Sequence, residues 1–274
     1  MATLNVSFRA ESLSRFAEFN LFLPDKTIPP FFADNPHYQR PVKTLILLHG
    51  FSGDKNDWYL YSPAAQFSMM YNLAVVMPTG GLNFFLDLPS TGKKYCTMLG
   101  EDLVGYLRDT FGIAMTPEDT LIGGVSMGGF GALHTALTYP DRFGGVIALS
   151  SALIVHQLKH MRPDGDGSPM ANYEYYTDTF GDLSTAESRD VNPEVLYQRL
   201  KAEGKKIPDI YMACGTEDML LAENRAMRDF LTAEGADFRY EEGPGIHDWS
   251  FWSPRAEEGI QYHLNKQRKD GHYE

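Results

Sequence analysis

A chain of 274 residues that is 43% hydrophobic can bury one large core, and α/β folds of about 200–250 residues often form one unit, so a single domain over 1–274 carrying an insertion is expected. Its 24 basic against 36 acidic residues leave a net charge of −12, which disfavours phosphate backbones and anionic membrane surfaces and excludes nucleic acid as a partner. Met1-Ala-Thr-Leu-Asn-Val lacks the basic and apolar regions of a signal peptide, no stretch approaches about 18 apolar residues, and Cys96 and Cys214 are too few for a disulfide framework; a cytoplasmic protein with free thiols and no membrane partner is expected.

Residues 3–9 and 15–23 alternate in polarity and predict two antiparallel strands at a sheet edge. Residues 24–41, rich in proline and polar side chains, read as a loop. Thr44-Leu-Ile-Leu-Leu48 is a continuous apolar run typical of a strand covered on both faces. It leads into His49-Gly50-Phe51-Ser52-Gly53-Asp54, followed by Trp58. A glycine-flexed loop at the carboxyl end of a parallel strand is where such sheets hold ligands, and the Phe51 amide is a candidate oxyanion donor; an ordinary turn into a helix would read the same way. Leu73-Ala-Val-Val-Met77 is the next buried strand. Asn83-Phe84-Phe85-Leu86-Asp87 then forms an apolar loop whose aromatics either pack inward or wall a pocket. From Thr97 a helix is predicted, with Leu99, Leu103, Leu107 and Phe111 four apart and Glu101 and Asp102 near its positive end.

The densest signal is Leu121-Ile-Gly-Gly-Val-Ser126-Met-Gly-Gly-Phe-Gly. Thr120 to Val125 has strand character and Met127 to Thr138 helix character, until Tyr139-Pro140 stops it. The chain therefore turns sharply at Ser126, and glycines at 124 and 128 suit a strained turn that holds a serine out at the sheet edge. The Met127 amide, at the helix start and unpaired within it, is the second candidate oxyanion donor. A serine turn that merely packs a helix on a strand, or cradles phosphate, is the alternative; no phosphate-loop Gly-Lys-Ser/Thr accompanies it.

Gly145-Val-Ile-Ala-Leu149 gives another strand, ending at Ser150-Ser151. Residues 152–206 break the rhythm, mixing polar loops such as Arg162 to Pro169 with Tyr173, Tyr175, Tyr176 and Phe180, and read as a cap. His156 and His160 share a helical face, but no third ligand follows, so no metal is expected. The sheet resumes with Ile207 to Ala213 and exits through Cys214-Gly-Thr-Glu217-Asp218. Leu221 to Glu234 is an amphipathic helix capped by Gly235. Asp237 to Glu241 is the last strand, leaving through Gly243-Pro-Gly-Ile-His247-Asp248-Trp249. Ser253-Pro254 is expected to open the final helix, and the charged tail from Asn265 to fray.

Serine at neutral pH needs an imidazole to take its proton and a carboxylate to orient that imidazole. Of eight histidines, only His247 sits in a glycine-rich loop after the last strand, and Asp218 follows the strand before it. Ser126, Asp218 and His247 thus fall in the Ser, Asp, His order of α/β hydrolases. Asp218 also fits a helix N-terminal acid, with Glu217 and Asp248 as rivals, and His247 a loop histidine bonded to backbone.

His49-Gly50, Gly124-Val-Ser126-Met-Gly-Gly, Cys214-Gly-Thr-Glu-Asp218 and Glu242-Gly-Pro-Gly-Ile-His247-Asp-Trp resemble the esterase D-like branch of α/β hydrolases, most closely the tributyrin esterase family. The resemblance covers nearly the whole chain. It implies an α/β-hydrolase fold, a mostly parallel eight-stranded sheet with helices on both faces and a small cap. It also implies a serine carboxylesterase for acetyl to butyryl esters that needs no cofactor, with Ser126 as nucleophile, His247 as general base then acid, Asp218 as its orienter, and the Phe51 and Met127 amides as oxyanion hole. Trp58, Phe84, Phe85, Phe180 and Trp249 are the pocket candidates. The 83–87 loop departs from the more polar, tryptophan-containing loop expected of relatives, which leaves open a feruloyl or cinnamoyl esterase or an S-formylglutathione-type thioester hydrolase. A non-catalytic binding protein on the same fold is the reading from another class. The partner is a small-molecule ester, and a homo-oligomer is compatible with the sequence.

Overall fold

The computed structural model describes residues 1–25, 34–88, 90–165, 167–168 and 171–269. Part of the 24–41 loop (26–33), part of the Arg162 to Pro169 loop (166 and 169) and the end of the expected tail (270–274) lie outside the described residues. Eight strands form one sheet: β1 (Ala2–Ala10), β2 (Arg15–Leu23), β3 (Lys43–Leu48), β4 (Leu73–Pro78), β5 (Thr120–Val125), β6 (Gly145–Leu149), β7 (Asp209–Gly215) and β8 (Phe238–Gly243). Their spatial order is β1-β2-β4-β3-β5-β6-β7-β8. The first two strands run antiparallel and the remaining pairs from β4 to β8 are parallel. This is the α/β-hydrolase fold. β7 starts at Asp209, after Pro208, which has no N–H to give a ladder.

The unbroken apolar runs have a direct cause. In β3, Ile46 and Leu48 enter one core while Leu45 and Leu47 enter the other; in β6, Val146 and Ala148 face the first and Ile147 and Leu149 the second. Successive side chains point to opposite faces, so a strand covered on both sides is apolar on both through its centre, with polar residues such as Lys43, Thr44 and Thr120 only at its start. The second core is closed by α1 (Ala64–Tyr71) and by Phe251, Ala256, Ile260 and Leu264 of the last helix. Over the first lie α2 (Val104–Phe111), α3 (Met127–Thr138), α4 (Tyr173–Phe180), α5 (Pro193–Ala202) and α6 (Leu221–Ala233). Phe180, Leu183, Leu196 and Leu200, all from 152–206, are buried in that same core, so this segment shares its packing with the sheet.

The final helix, α7 (Trp249–Lys269), begins four residues before the expected Ser253. Asp248 is its cap: Oδ1 accepts from the Ser250 amide at 3.0 Å and its carbonyl from Trp252 at 3.1 Å. Pro254 falls inside the helix, where it cannot donate to the Ser250 carbonyl one turn back. No helix among the described residues is long and apolar enough to cross a membrane.

Candidate active site

Ser126 follows β5 with φ 57° and ψ −120°, a backbone region that costs an L-residue about 1–3 kcal/mol. Neighbouring strands hold it there. Its N–H donates to Leu149 O at 2.9 Å, and its carbonyl accepts from Phe130 at 3.1 Å and Ala152 at 3.0 Å. The flanking glycines are steric necessities. A Cβ at 124 would lie 2.4 Å from the Gly128 backbone, and one at 128 would lie 2.4 Å from Leu48 O and 2.5 Å from His49 O. The elbow therefore rests on the exit of β3, and a Cβ at Gly50 would meet Ser126 Cβ at 3.7 Å.

That exit loop is fixed by a buried histidine. His49 Nε2 accepts from the Gly80 amide at 2.9 Å, so its proton is on Nδ1, which donates to Gly50 O at 2.8 Å. Burial holds the His49 pKa below its ordinary value, keeping the ring neutral. Phe51 follows Gly50 in this loop, and Met127 takes the first position of α3, where an amide has no helical acceptor.

The acid and imidazole leave β7 and β8. Asp218, with no side-chain exposure, faces His247 Nδ1 at 2.9 Å (Oδ2) and 3.0 Å (Oδ1), and Oδ1 also accepts from the Leu220 amide at 2.8 Å. Burial works to raise its pKa, but hydrogen bonds from His247, Leu220 and Ser150 outweigh this and hold the carboxyl below the usual range. An ionised carboxylate only accepts, so Nδ1 carries the proton and Nε2 is left as an acceptor. That is the state a general base needs. The two loops touch through glycine: a Cβ at Gly215 would lie 2.1 Å from Gly245 O. Glu217 accepts from the Gly245 amide at 2.6 Å and Asp248 caps α7, so both rival acids are committed elsewhere. Among the described residues no hydrogen bond joins the Ser126 hydroxyl to His247. Such contacts are often loose without substrate and tighten in its presence.

Over residues 10–260 the sequence matches the family described as putative esterase. The chain belongs to that family. It is 40% identical over 254 residues to an acetyl esterase of Caldicellulosiruptor saccharolyticus, covering 92% of this chain and 94% of that one. Among solved structures it is similar to the substrate-bound fluorophosphonate-binding serine hydrolase F of Staphylococcus aureus, with TM-score 0.81, 25% identity and coverage of 96% of this chain and 98% of that one. It is also similar to the S-formylglutathione hydrolase of Staphylococcus aureus, with TM-score 0.79, 26% identity and coverage of 96% and 98%. The protein is a carboxylic ester hydrolase of the serine class.

In this esterase four of the five expected pocket aromatics are packing instead. Trp58 is 1% exposed and its indole N–H donates to Leu48 O at 2.9 Å beneath the β3 exit. Phe85 is fully buried against the His49 ring at 5.1 Å. Phe84 sits edge-on to Phe130 at 5.3 Å and to Phe180 at 4.9 Å, with Phe84 and Phe180 both buried. Inward rings need no solvent-facing slot, and the loop turns them in by placing Phe84 and Phe85 both at positive φ, 53° and 55°. Trp249 remains half-buried, packed on Trp58 at 4.9 Å and Trp252 at 5.3 Å. The ring that does border the exit loop is Tyr175 of α4, edge-on to Phe51 at 5.7 Å.

Sequence reasoning passed over Ser150, Trp252 and Glu217's hold on Gly245. Trp252 meets the His247 ring edge to face at 4.9 Å and donates to Ser150 Oγ at 2.9 Å. Their one legible trace was the Ser150-Ser151 pair at a strand exit.

Two further histidines are committed to packing and backbone. His134 and His263 are buried, bond to the carbonyls of Asp190 and Val146, and burial pulls both down to about 4. Among the described residues no cluster of His, Cys, Asp or Glu suits a metal.

Proposed function

We propose that the esterase cleaves acetyl to butyryl esters of small alcohols through an acyl-enzyme on Ser126. The observation that carries this is the buried Asp218 on His247 Nδ1, which leaves Nε2 as acceptor in a protein whose strained elbow presents a partly exposed serine. His247 Nε2 takes the Ser126 proton as Oγ attacks the ester carbonyl. The oxyanion forms against the amides of Phe51 and Met127. The imidazolium then protonates the departing alcohol, leaving an acyl-serine. Water, deprotonated by the same nitrogen, hydrolyses it and restores the serine.

A short acyl group is supported by the 40% identical acetyl esterase, and the burial of Phe84, Phe85 and Phe180 leaves these rings unavailable to stack on a flat aromatic acid. The second reading is a formyl thioester, the acyl donor named for the 26% identical S-formylglutathione hydrolase. We place residues 152–206 as a cap over the β3 exit on the strength of Tyr175 against Phe51. Two buried free thiols favour a reducing compartment.

Ser126→Ala is expected to lower kcat by about 10⁴–10⁶-fold and to abolish labelling by a fluorophosphonate while folding normally. Rates on p-nitrophenyl acetate, butyrate and octanoate, methyl ferulate and S-formylglutathione then fix the acyl donor. An alanine variant that keeps most of its rate overturns the reading, and a preference for methyl ferulate overturns the short-acyl assignment.

A further inference from the structure

We infer that Trp252 is a positioning residue that orients the acid and the base together, through a closed ring of contacts running Trp252, Ser150, Asp218, His247 and back to Trp252. This rests on the catalytic reading of Asp218 and His247 given above.

Three observations build the ring. Ser150 leaves β6 with φ 44°, fully buried, its N–H fixed to Ala213 O at 2.8 Å, so the hydroxyl is aimed by a backbone that has little freedom to turn. The indole N–H of Trp252 donates to Ser150 Oγ at 2.9 Å in a buried contact. The His247 ring meets the same indole at 4.9 Å and 88°, an edge-to-face arrangement that restricts rotation of the imidazole.

A hydroxyl has one proton to give. Because the indole can only donate, it occupies a lone pair of Ser150 and leaves that proton for another acceptor. Two acceptors interact electrostatically with this hydroxyl, the Asp218 carboxylate and Cys214 Sγ, and the link from Ser150 to Asp218 is the inferred side of the ring. Sulfur is a weak acceptor, so the proton goes to the carboxylate. Asp218 is then fixed from two sides, by Ser150 and by the Leu220 amide, and presents its remaining capacity to His247 Nδ1. One side chain on α7 thereby sets both the direction of the acid and the plane of the base.

The test separates the N–H from the ring. Trp252→Phe keeps an aromatic ring against His247 and removes the donor; Ser150→Ala removes the relay; the double variant removes both. With p-nitrophenyl acetate, each single change is expected to lower kcat about tenfold, as befits one buried hydrogen bond, with KM within twofold of the parent. The double variant should be no slower than the worse single one, because both break the same chain. Thermal unfolding of Trp252→Phe, measured alongside, confirms that the assayed protein is folded. A Trp252→Phe enzyme with kcat within twofold of the parent overturns the inference, as does a double variant slower by the product of the single effects. Ser126→Ala serves as the reference: if it retains activity, the catalytic reading fails, whereas an inactive Ser126→Ala beside an unaffected Trp252→Phe removes only the ring.

Discussion

Two histidines among the described residues hydrogen-bond to carboxylates, and they are built for opposite ends. At the sheet exits, His247 meets one buried acid through Nδ1 and keeps Nε2 open. In the 152–206 segment, His156 meets Glu187 through Nδ1 at 2.7 Å and Glu194 through Nε2 at 2.9 Å, with a side chain that is 47% exposed. The first arrangement leaves a lone pair for chemistry. The second uses both nitrogens as donors to acceptor-only groups and so selects the imidazolium. What makes a base is the unoccupied nitrogen beside the occupied one, more than the nearness of an acid.

The comparison is broken most forcefully at Asp218. Asp218→Asn offers an amide that can donate to Nδ1, which moves the ring proton to Nε2 and removes the acceptor. Loss of the correct tautomer in a serine triad costs about 10⁴ in kcat with geometry intact. The same loss is expected here on p-nitrophenyl acetate, whereas Glu194→Gln should leave the rate within twofold. A fall of less than tenfold at Asp218→Asn shows that the acid acts only as a structural cap for Leu220.

Phe84 lies on the seam between the two regions, touching Phe130 of α3 on one side and Phe180 of α4 on the other. Truncating a buried phenylalanine costs about 3–5 kcal/mol. Phe84→Ala should therefore lower the unfolding midpoint by several degrees and change KM for acetyl esters less than threefold. An unchanged midpoint with a large shift in KM for aromatic esters would return Phe84 to the pocket wall.

This residue also marks where the sequence stopped being informative. Ser126 and Asp218 stand after apolar runs, His247 stands beside glycines after a polar edge strand, and these signals are local: a doubly covered strand is apolar through its centre, and Gly124, Gly128 and Gly215 sit where a Cβ would strike backbone. The direction of Phe84 and Phe85 depends on two successive positive φ angles, which no side-chain pattern encodes, and on distant rings: for Phe84 those of α3 and α4, 46 and 96 residues later in the chain, and for Phe85 that of His49, 36 residues earlier. Trp58 was misjudged for a similar reason, since its partner is a carbonyl of β3. Pro254 misled in the other direction: a proline after serine reads as a helix start, but Asp248 had already capped the helix. Ser150 and Trp252 are 102 residues apart, and only the fold brings them together.

The smallest expected effect belongs to His156. Burial works to lower its pKa, yet the bonds to Glu194 and Glu187 outweigh this and raise it above the ordinary histidine value. With the folded value raised, the stabilisation is fully present below the unfolded pKa and is lost as pH rises through the folded one. The exposed ring is screened by solvent, and Lys159 already pairs with Glu187 at 2.8 Å, so the clamp contributes a few tenths of a kcal/mol at most. It nonetheless joins Val155–Leu158 to Leu183–Ser188 and to the first turn of α5. His156→Ala should accordingly cost more stability at pH 5.5 than at pH 9, and should speed hydrogen exchange in residues 155–158 and 183–188 only at the lower pH. The imidazolium here is a fastener, whereas the ring at His247, with one nitrogen left unoccupied, is the proposed base. Equal destabilisation by His156→Ala at both pH values would show that the ring packs there as a neutral group, and the contrast between the two histidines would then rest on burial alone.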